Sequence, residues 1–141
     1  MANPGPANSA QPHPSNLASN QAIRLLAVYT GVNVNATGDT VLPINNSTGY
    51  SVSNVIFTNA SISLSSAAAG LFTAPSAGGT GIVANAALSA LTASTVVSQR
   101  TVASNALQTG QNLYVNVGTA QGAAATMDVY VYGYDLSVYT Q

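Results

Sequence analysis

The clearest two-residue alternation in the chain is Thr126-Met127-Asp128-Val129-Tyr130-Val131-Tyr132-Gly133-Tyr134. Successive side chains of a β-strand point to opposite faces, so one side of this segment carries Met127, Val129 and Val131. The other side carries Asp128 and the three tyrosines. We expect the aliphatic side to face the core. Tyrosine is enriched where partners meet, so the tyrosine side predicts an interface or a loop cover in preference to open exposure.

Similar short runs of β-branched and aromatic residues occur back to residue 23, separated by Gly, Asn, Ser and Pro. We expect strands near residues 23–34, 40–44, 51–59, 61–64, 70–73, 81–83, 95–102, 112–117 and 126–134. The inner face of the third is ambiguous, because either Val52, Asn54 and Ile56 or the intervening residues can point inward. One helix is expected at residues 85–91. Eight or nine antiparallel strands predict an all-β sandwich, and the jelly roll is the commonest arrangement of eight.

Residues 1–22 differ in composition from the rest of the chain. They hold four of the six prolines, and Leu17 is their only large apolar residue besides Met1. Proline removes amide donors and favours extended backbone, so we predict an extended N-terminal arm before a sandwich domain at residues 23–141. Such an arm is either a mobile terminus or a segment that orders against a partner. Residues 15–27, which lack proline, can add a strand to a neighbouring sheet edge.

Charged side chains make up only 4% of the 141 residues, against roughly 25% in ordinary domains. They are Arg24, Arg100, Asp39, Asp128 and Asp135. Two arginines cannot neutralise the roughly 6–10 phosphates that a duplex-binding protein contacts, so we expect no nucleic-acid partner. No apolar stretch is long enough to predict a membrane span. Each arginine can pair with Asp128 or Asp135, or with an acid of another protein.

The remaining polar residues do not form a recognisable catalytic or metal-binding pattern. His13 lies between two prolines in the arm, and Asp39 follows Gly38 in a predicted turn, where it is expected to hydrogen-bond to nearby backbone. Alternation separates Asp128 from Asp135 on opposite faces of their strand. The glycine-rich residues 78–81 predict a turn, because no lysine follows them as in a phosphate loop. We therefore expect no catalytic residues, no metal and no cofactor.

Two further stretches add to this picture: Leu113-Tyr114-Val115-Asn116-Val117-Gly118-Thr119-Ala120-Gln121-Gly122, and then Met127 to Leu136. With the cysteine-free β domain, the Pro/Asn-rich arm and the low charge, this C-terminal hairpin resembles the capsid cement or decoration proteins of tailed bacteriophages, which have a jelly-roll fold. The resemblance covers residues 23–136 in character. It implies a non-enzymatic virion protein on the exterior of the capsid, assembled in the host cytoplasm.

The resemblance also implies a partner, the major capsid protein of the phage head, and we further expect copies of the chain to associate as a dimer or trimer. The expected interface residues are Leu17, Arg24, Arg100, Asp128, Tyr130, Tyr132 and Tyr134. Two other functions stay open at this point. One is a receptor- or glycan-binding module of a phage head or tail fibre, and the other is a self-assembling tail-tube or surface-layer subunit.

Overall fold

The computed structural model describes residues 23–137, and this part of the chain contains eight strands and no helix. The strands are β1 (Arg24–Asn33), β2 (Gly38–Pro43), β3 (Tyr50–Thr58), β4 (Ala68–Ala74), β5 (Gly78–Ala87), β6 (Val97–Arg100), β7 (Asn112–Thr119) and β8 (Thr126–Asp135). The predicted arm at residues 1–22 lies outside the described residues.

The strands form two four-stranded sheets, in the orders β1-β8-β3-β6 and β2-β7-β4-β5. Every pairing is antiparallel, and β1 pairs with β8, β2 with β7, β3 with β6, and β4 with β5. The chain therefore follows the course of one long hairpin that has been folded into two layers. This arrangement confirms the all-β sandwich expected from the sequence.

The core lies between the two sheets and is built from alternate residues of their strands. On β8, Met127, Val129 and Val131 are fully buried, which confirms the face assigned to them by alternation. β3 contributes Val55 and Phe57 to the same core. Burying this apolar surface is the main stabilising contribution, at about 25 cal/mol for each Å² removed from water.

A β-bulge resolves the ambiguous faces of β3. The register against β8 shifts between Val52 and Asn54, so one extra residue is accommodated near Ser53. Val52 is buried together with Val55 and Phe57, although these residues do not share one strict alternation. A pattern of period two cannot describe a strand whose phase changes within it.

The prediction of a strand at residues 61–64 is wrong, because this segment forms bends and no strand. Leu64 is nevertheless fully buried, and its N–H donates to the carbonyl of Leu91 at 3.0 Å. The apolar residues of this segment therefore reflect a loop that packs onto the core rather than a strand.

The helix expected at residues 85–91 is also wrong. β5 continues through Ala87, and a turn follows it. Leu88 and Leu91 are both fully buried, and the Leu88 N–H donates to the carbonyl of Ala67 at 2.9 Å. A helix of seven residues, about two turns, is unstable alone, whereas contacts with the core and with a neighbouring strand stabilise the extended alternative.

The glycine-rich residues 78–81 belong to β5 and do not form the predicted turn. The turn lies just before them, where the Gly78 N–H donates to the Pro75 carbonyl at 3.1 Å. Its two central residues, Ser76 and Ala77, have φ angles of 58° and 57°. Positive φ at both positions is typical of the type I′ turn that fits the twist of a two-residue hairpin.

Candidate interaction surface

The outer face of the β1-β8-β3-β6 sheet carries a row of aromatic and aliphatic side chains. Tyr130 lies between Val28 of β1 and Ile56 of β3, and Tyr132 is paired with Leu25 of β1. All five side chains are half-buried. We call Leu25, Val28, Ile56, Tyr130 and Tyr132 the tyrosine face. Sequence alternation places the tyrosines on one side of β8, but only strand pairing adds the aliphatic residues from β1 and β3.

Tyr134 extends this surface toward the end of the sheet. It is paired with Ser51, and 39% of it is exposed. Asn54 lies beside Tyr132, and its side-chain oxygen accepts a hydrogen bond from Gln99 Nε2 at 2.6 Å. The polar neighbours of the tyrosine face are therefore uncharged amides and hydroxyls at this end.

Asp128 lies on the same side of β8 as the tyrosines, but its carboxylate is engaged within the domain. Oδ1 accepts from the Gly31 N–H at 2.8 Å, and Oδ2 accepts from Asn59 Nδ2 at 2.9 Å. Gly31 lies in the irregular part of β1, between Tyr29 and Val32. Asp128 thus fixes a β-bulge of β1 to the end of β3.

Arg24 and Asp135 form an ion pair at 3.3 Å at the end of the sandwich. Asp135 is 1% exposed and accepts hydrogen bonds from Ser47 Oγ at 2.8 Å and from the Ser137 N–H at 3.0 Å. Arg24 also donates to the carbonyl of Asn45. These contacts join the first strand, the last strand and the β2–β3 loop.

The environment of Asp135 shifts its pKa in two opposing directions. Burial raises the pKa, because desolvation disfavours the ionised form. Hydrogen bonds from Ser137 and Ser47 and the charge of Arg24 favour the carboxylate and lower it. Together, the hydrogen bonds and the positive charge outweigh desolvation, so the pKa of Asp135 lies below its ordinary value of 3.8.

Arg100, the second arginine, is engaged across the open edge of the sandwich. Its guanidinium lies 5.3 Å from the centre of the Phe57 ring and donates to the carbonyls of Ala87 at 3.2 Å and Ala86 at 3.4 Å. Arg100 ends β6 in one sheet, and the two alanines end β5 in the other. The side chain therefore links the edge strands of the two sheets.

Asp39 lies in β2, so its assignment to a turn that it stabilises locally is wrong. Its Oδ2 accepts from the Ser76 N–H at 2.7 Å, and its Oδ1 accepts from Asn116 Nδ2 at 2.8 Å. It therefore holds the tip of the β4–β5 hairpin against β7. With Asp39, all five charged side chains of the sequence have polar or cation–π contacts within the domain.

Two other residues considered from sequence, Leu17 and His13, lie outside the described residues. Within residues 23–137, no three His, Cys, Asp or Glu side chains are grouped so that they can hold a metal ion. No helix in the described part of the chain is long and apolar enough to cross a membrane. No protein-family model, curated protein or solved structure matches the chain.

Proposed function

We propose that this protein is a non-enzymatic structural protein of a virion. It binds the outer surface of a tailed-phage icosahedral head and cements neighbouring major capsid proteins against internal pressure. One observation carries the proposal: all five charged side chains are engaged within the domain, while the tyrosine face presents only uncharged groups. Such a molecule is suited to lying against other proteins.

The energetic argument concerns desolvation. Burying an ionised group at an interface costs free energy unless a partner compensates it, whereas burying aromatic and aliphatic surface is favourable. A tyrosine ring contributes apolar area, and its hydroxyl can hydrogen-bond to a partner's backbone. Each contact can be weak, because a repeating shell multiplies modest affinities through valency.

We also propose that the sandwich is a jelly roll. The strand pairings support this assignment: β1 pairs with β8, β2 with β7, β3 with β6 and β4 with β5. Two interlocked Greek keys produce this set of pairings. The two outer faces are then broad sheet surfaces suited to flat contacts in a lattice.

The test compares Tyr130→Ser and Tyr132→Ser with a matched control, Tyr114→Ser, which changes a half-buried tyrosine of the other sheet. Occupancy on purified heads is measured on a quantified gel against the major shell protein. We expect the first two variants to lower affinity for heads by on the order of tenfold while remaining folded, as for central aromatic residues of interfaces. Equal occupancy for all three variants would contradict the proposal.

A second candidate is a receptor- or glycan-binding module of a phage head or tail fibre. The observation that favours it concerns the outer face of the β2-β7-β4-β5 sheet. Tyr114 of β7 is paired with Val41 of β2, and the pair Asn116 and Asp39 lies two residues further along the same strands. An aromatic ring next to amide and carboxylate groups is the chemistry that stacks on and hydrogen-bonds to a sugar. Copy number separates the two functions, since a cement protein approaches the abundance of the shell protein and a fibre module does not.

A further inference from the structure

The β1-β8-β3-β6 sheet contains a gap beside the first half of β3. β6 pairs with β3 only from Val55 to Thr58, and the next backbone pairing on that side is an isolated bridge between Tyr50 and Gln108. Among the described residues, the four that lie between Tyr50 and Val55 have no strand partner on this side. The sheet is therefore incomplete over about 13 Å of strand.

The gap exists because the chain leaves this sheet after Arg100. The Ala103 N–H donates at 2.8 Å to the carbonyl of Ile82, which belongs to the opposite sheet, and the chain returns at Gln108. A cavity of about 380 Å³ opens between this detour and β3. Its lining is part apolar and part polar: Val52 and Val102 lie beside Ser51, whose hydroxyl donates to the Asn105 carbonyl at 2.6 Å, and Tyr134 also lines it.

The polar groups at the gap match an extended peptide. The Tyr50 N–H and carbonyl both bond to Gln108, so strand alternation directs the N–H and carbonyl of Val52 into the gap. The Ser53 hydroxyl also lines the cavity, and it is buried with no hydrogen-bond partner among the described residues. Buried polar groups are almost always paired in folded proteins, so the unpaired Ser53 hydroxyl indicates a missing partner.

The chemistry of the site defines what can occupy it. No ionised side chain lines the cavity, so a charged residue placed there would lose its hydration without a counter-ion. The occupant should be a proline-free, uncharged segment that pairs with Val52, bonds to Ser53 and places one aliphatic side chain beside Val52 and Val102 in the cavity.

We infer that this gap is a strand-acceptor site and that it binds residues 15–22 of the same chain, with Leu17 in the cavity. This segment has no proline and no charge, and its other residues are Ser, Asn, Ala and Gln. Arg24 is paired with Gly133, which is paired with Val52, so β1 begins level with the gap. The distance from β1 to the gap is three strand spacings, about 14 Å. The seven residues from Leu17 to Arg24 can span up to about 23 Å, so the segment is long enough to reach the gap.

The chain has no cysteine, so a disulfide can test this contact directly. In the full-length variant Leu17→Cys/Ser53→Cys, mild oxidation is expected to give an intrachain disulfide in most molecules, visible on a non-reducing gel and by peptide mapping. The control Leu17→Cys/Val41→Cys places the second thiol at an exposed position on the other sheet and should not cross-link. Disulfide-linked dimers would show that the segment of another copy binds, and the absence of any disulfide would show that none does; either result overturns the inference.

Amide hydrogen exchange provides a second test that needs no cysteine. In the full-length protein the Val52 amide should be protected, and deletion of residues 1–20 should accelerate its exchange by on the order of tenfold or more. The Val115 amide in the core of β7 serves as the control and should not change. Equal Val52 exchange in both proteins would overturn the inference. Both tests use the isolated chain, so neither result depends on the proposed attachment to heads.

Discussion

Replacing Asp135 by asparagine is expected to destabilise the fold by about 3 kcal/mol at neutral pH. Removing one member of a buried ion pair typically costs about 3–5 kcal/mol, because the remaining charge is left without its counter-ion. Arg24 is 30% exposed, so water can partly solvate it, which places the cost at the lower end. The asparagine amide would also point a donor toward either Arg24 or the Ser47 hydroxyl, where the carboxylate accepts.

The same substitution should alter the dependence of stability on pH. The pKa of Asp135 is lower in the folded chain than its ordinary value of 3.8, so the folded state binds fewer protons than the unfolded chain near that pH. The carboxylate therefore stabilises the fold fully above 3.8, and this contribution is lost as the pH falls through the lower folded pKa. Asp135→Asn lacks this stabilisation at every pH, so the difference in free energy of unfolding between the wild type and the variant should shrink below pH 3.8.

Urea denaturation followed by far-ultraviolet circular dichroism, at several pH values from neutral to strongly acidic, measures this difference. Asp39→Asn is the matched control at neutral pH, because it removes the same charge from an exposed site and should cost no more than about 1 kcal/mol. If Asp135→Asn costs no more than that control, or if its deficit stays constant into acid, the buried ion pair does not stabilise the fold as argued.

Three further substitutions test separate features. Burial raises the pKa of Tyr50 to about 12 from 10.0, so the folded protein holds the phenol proton to a higher pH than the unfolded chain does. The free energy of unfolding of the wild type should therefore fall by roughly 3 kcal/mol as the pH rises through this interval. Tyr50→Phe, which gives up the hydrogen bond to the Gly110 carbonyl, should show no such loss in alkaline urea titrations. Ala77→Gly should raise the free energy of unfolding by about 1 kcal/mol, because glycine adopts the positive φ of the hairpin turn without strain, and a higher urea midpoint checks this. Gly133→Ala should destabilise by at least about 2 kcal/mol, because its methyl group would overlap the Ser51 carbonyl; an unchanged thermal midpoint would refute the close packing.

Most of the strands could be predicted from local sequence, because β-branched runs and turn residues mark them directly. Two of the errors in secondary structure, at residues 61–64 and 85–91, concern buried leucines. Leu64 and the pair Leu88 and Leu91 are fully buried from loops, so their apolar character reports contact with the core and not a regular element. A local sequence pattern cannot distinguish a leucine that is buried from a loop from one that is buried from a strand or helix, since both lie against the same core.

The candidate surface could be predicted only in part. Alternation along β8 places Tyr130 and Tyr132 together, but Ile56 joins them through strand pairing and a bulge that changes the phase of β3. The gap beside β3 has no local signal, because it results from the path of the chain after Arg100 toward the opposite sheet.

By itself, the sequence determined an all-β chain with a buried aliphatic face on β8 and very few charges, because composition and two-residue alternation are local properties. Only the tertiary structure decided that Asp135, and not Asp128, pairs with Arg24, and that Arg100 links the two sheets through Phe57 and β5. These contacts join residues far apart in the chain. Their energies depend on burial and on the geometry of neighbouring strands, which exist only once the two sheets have packed together.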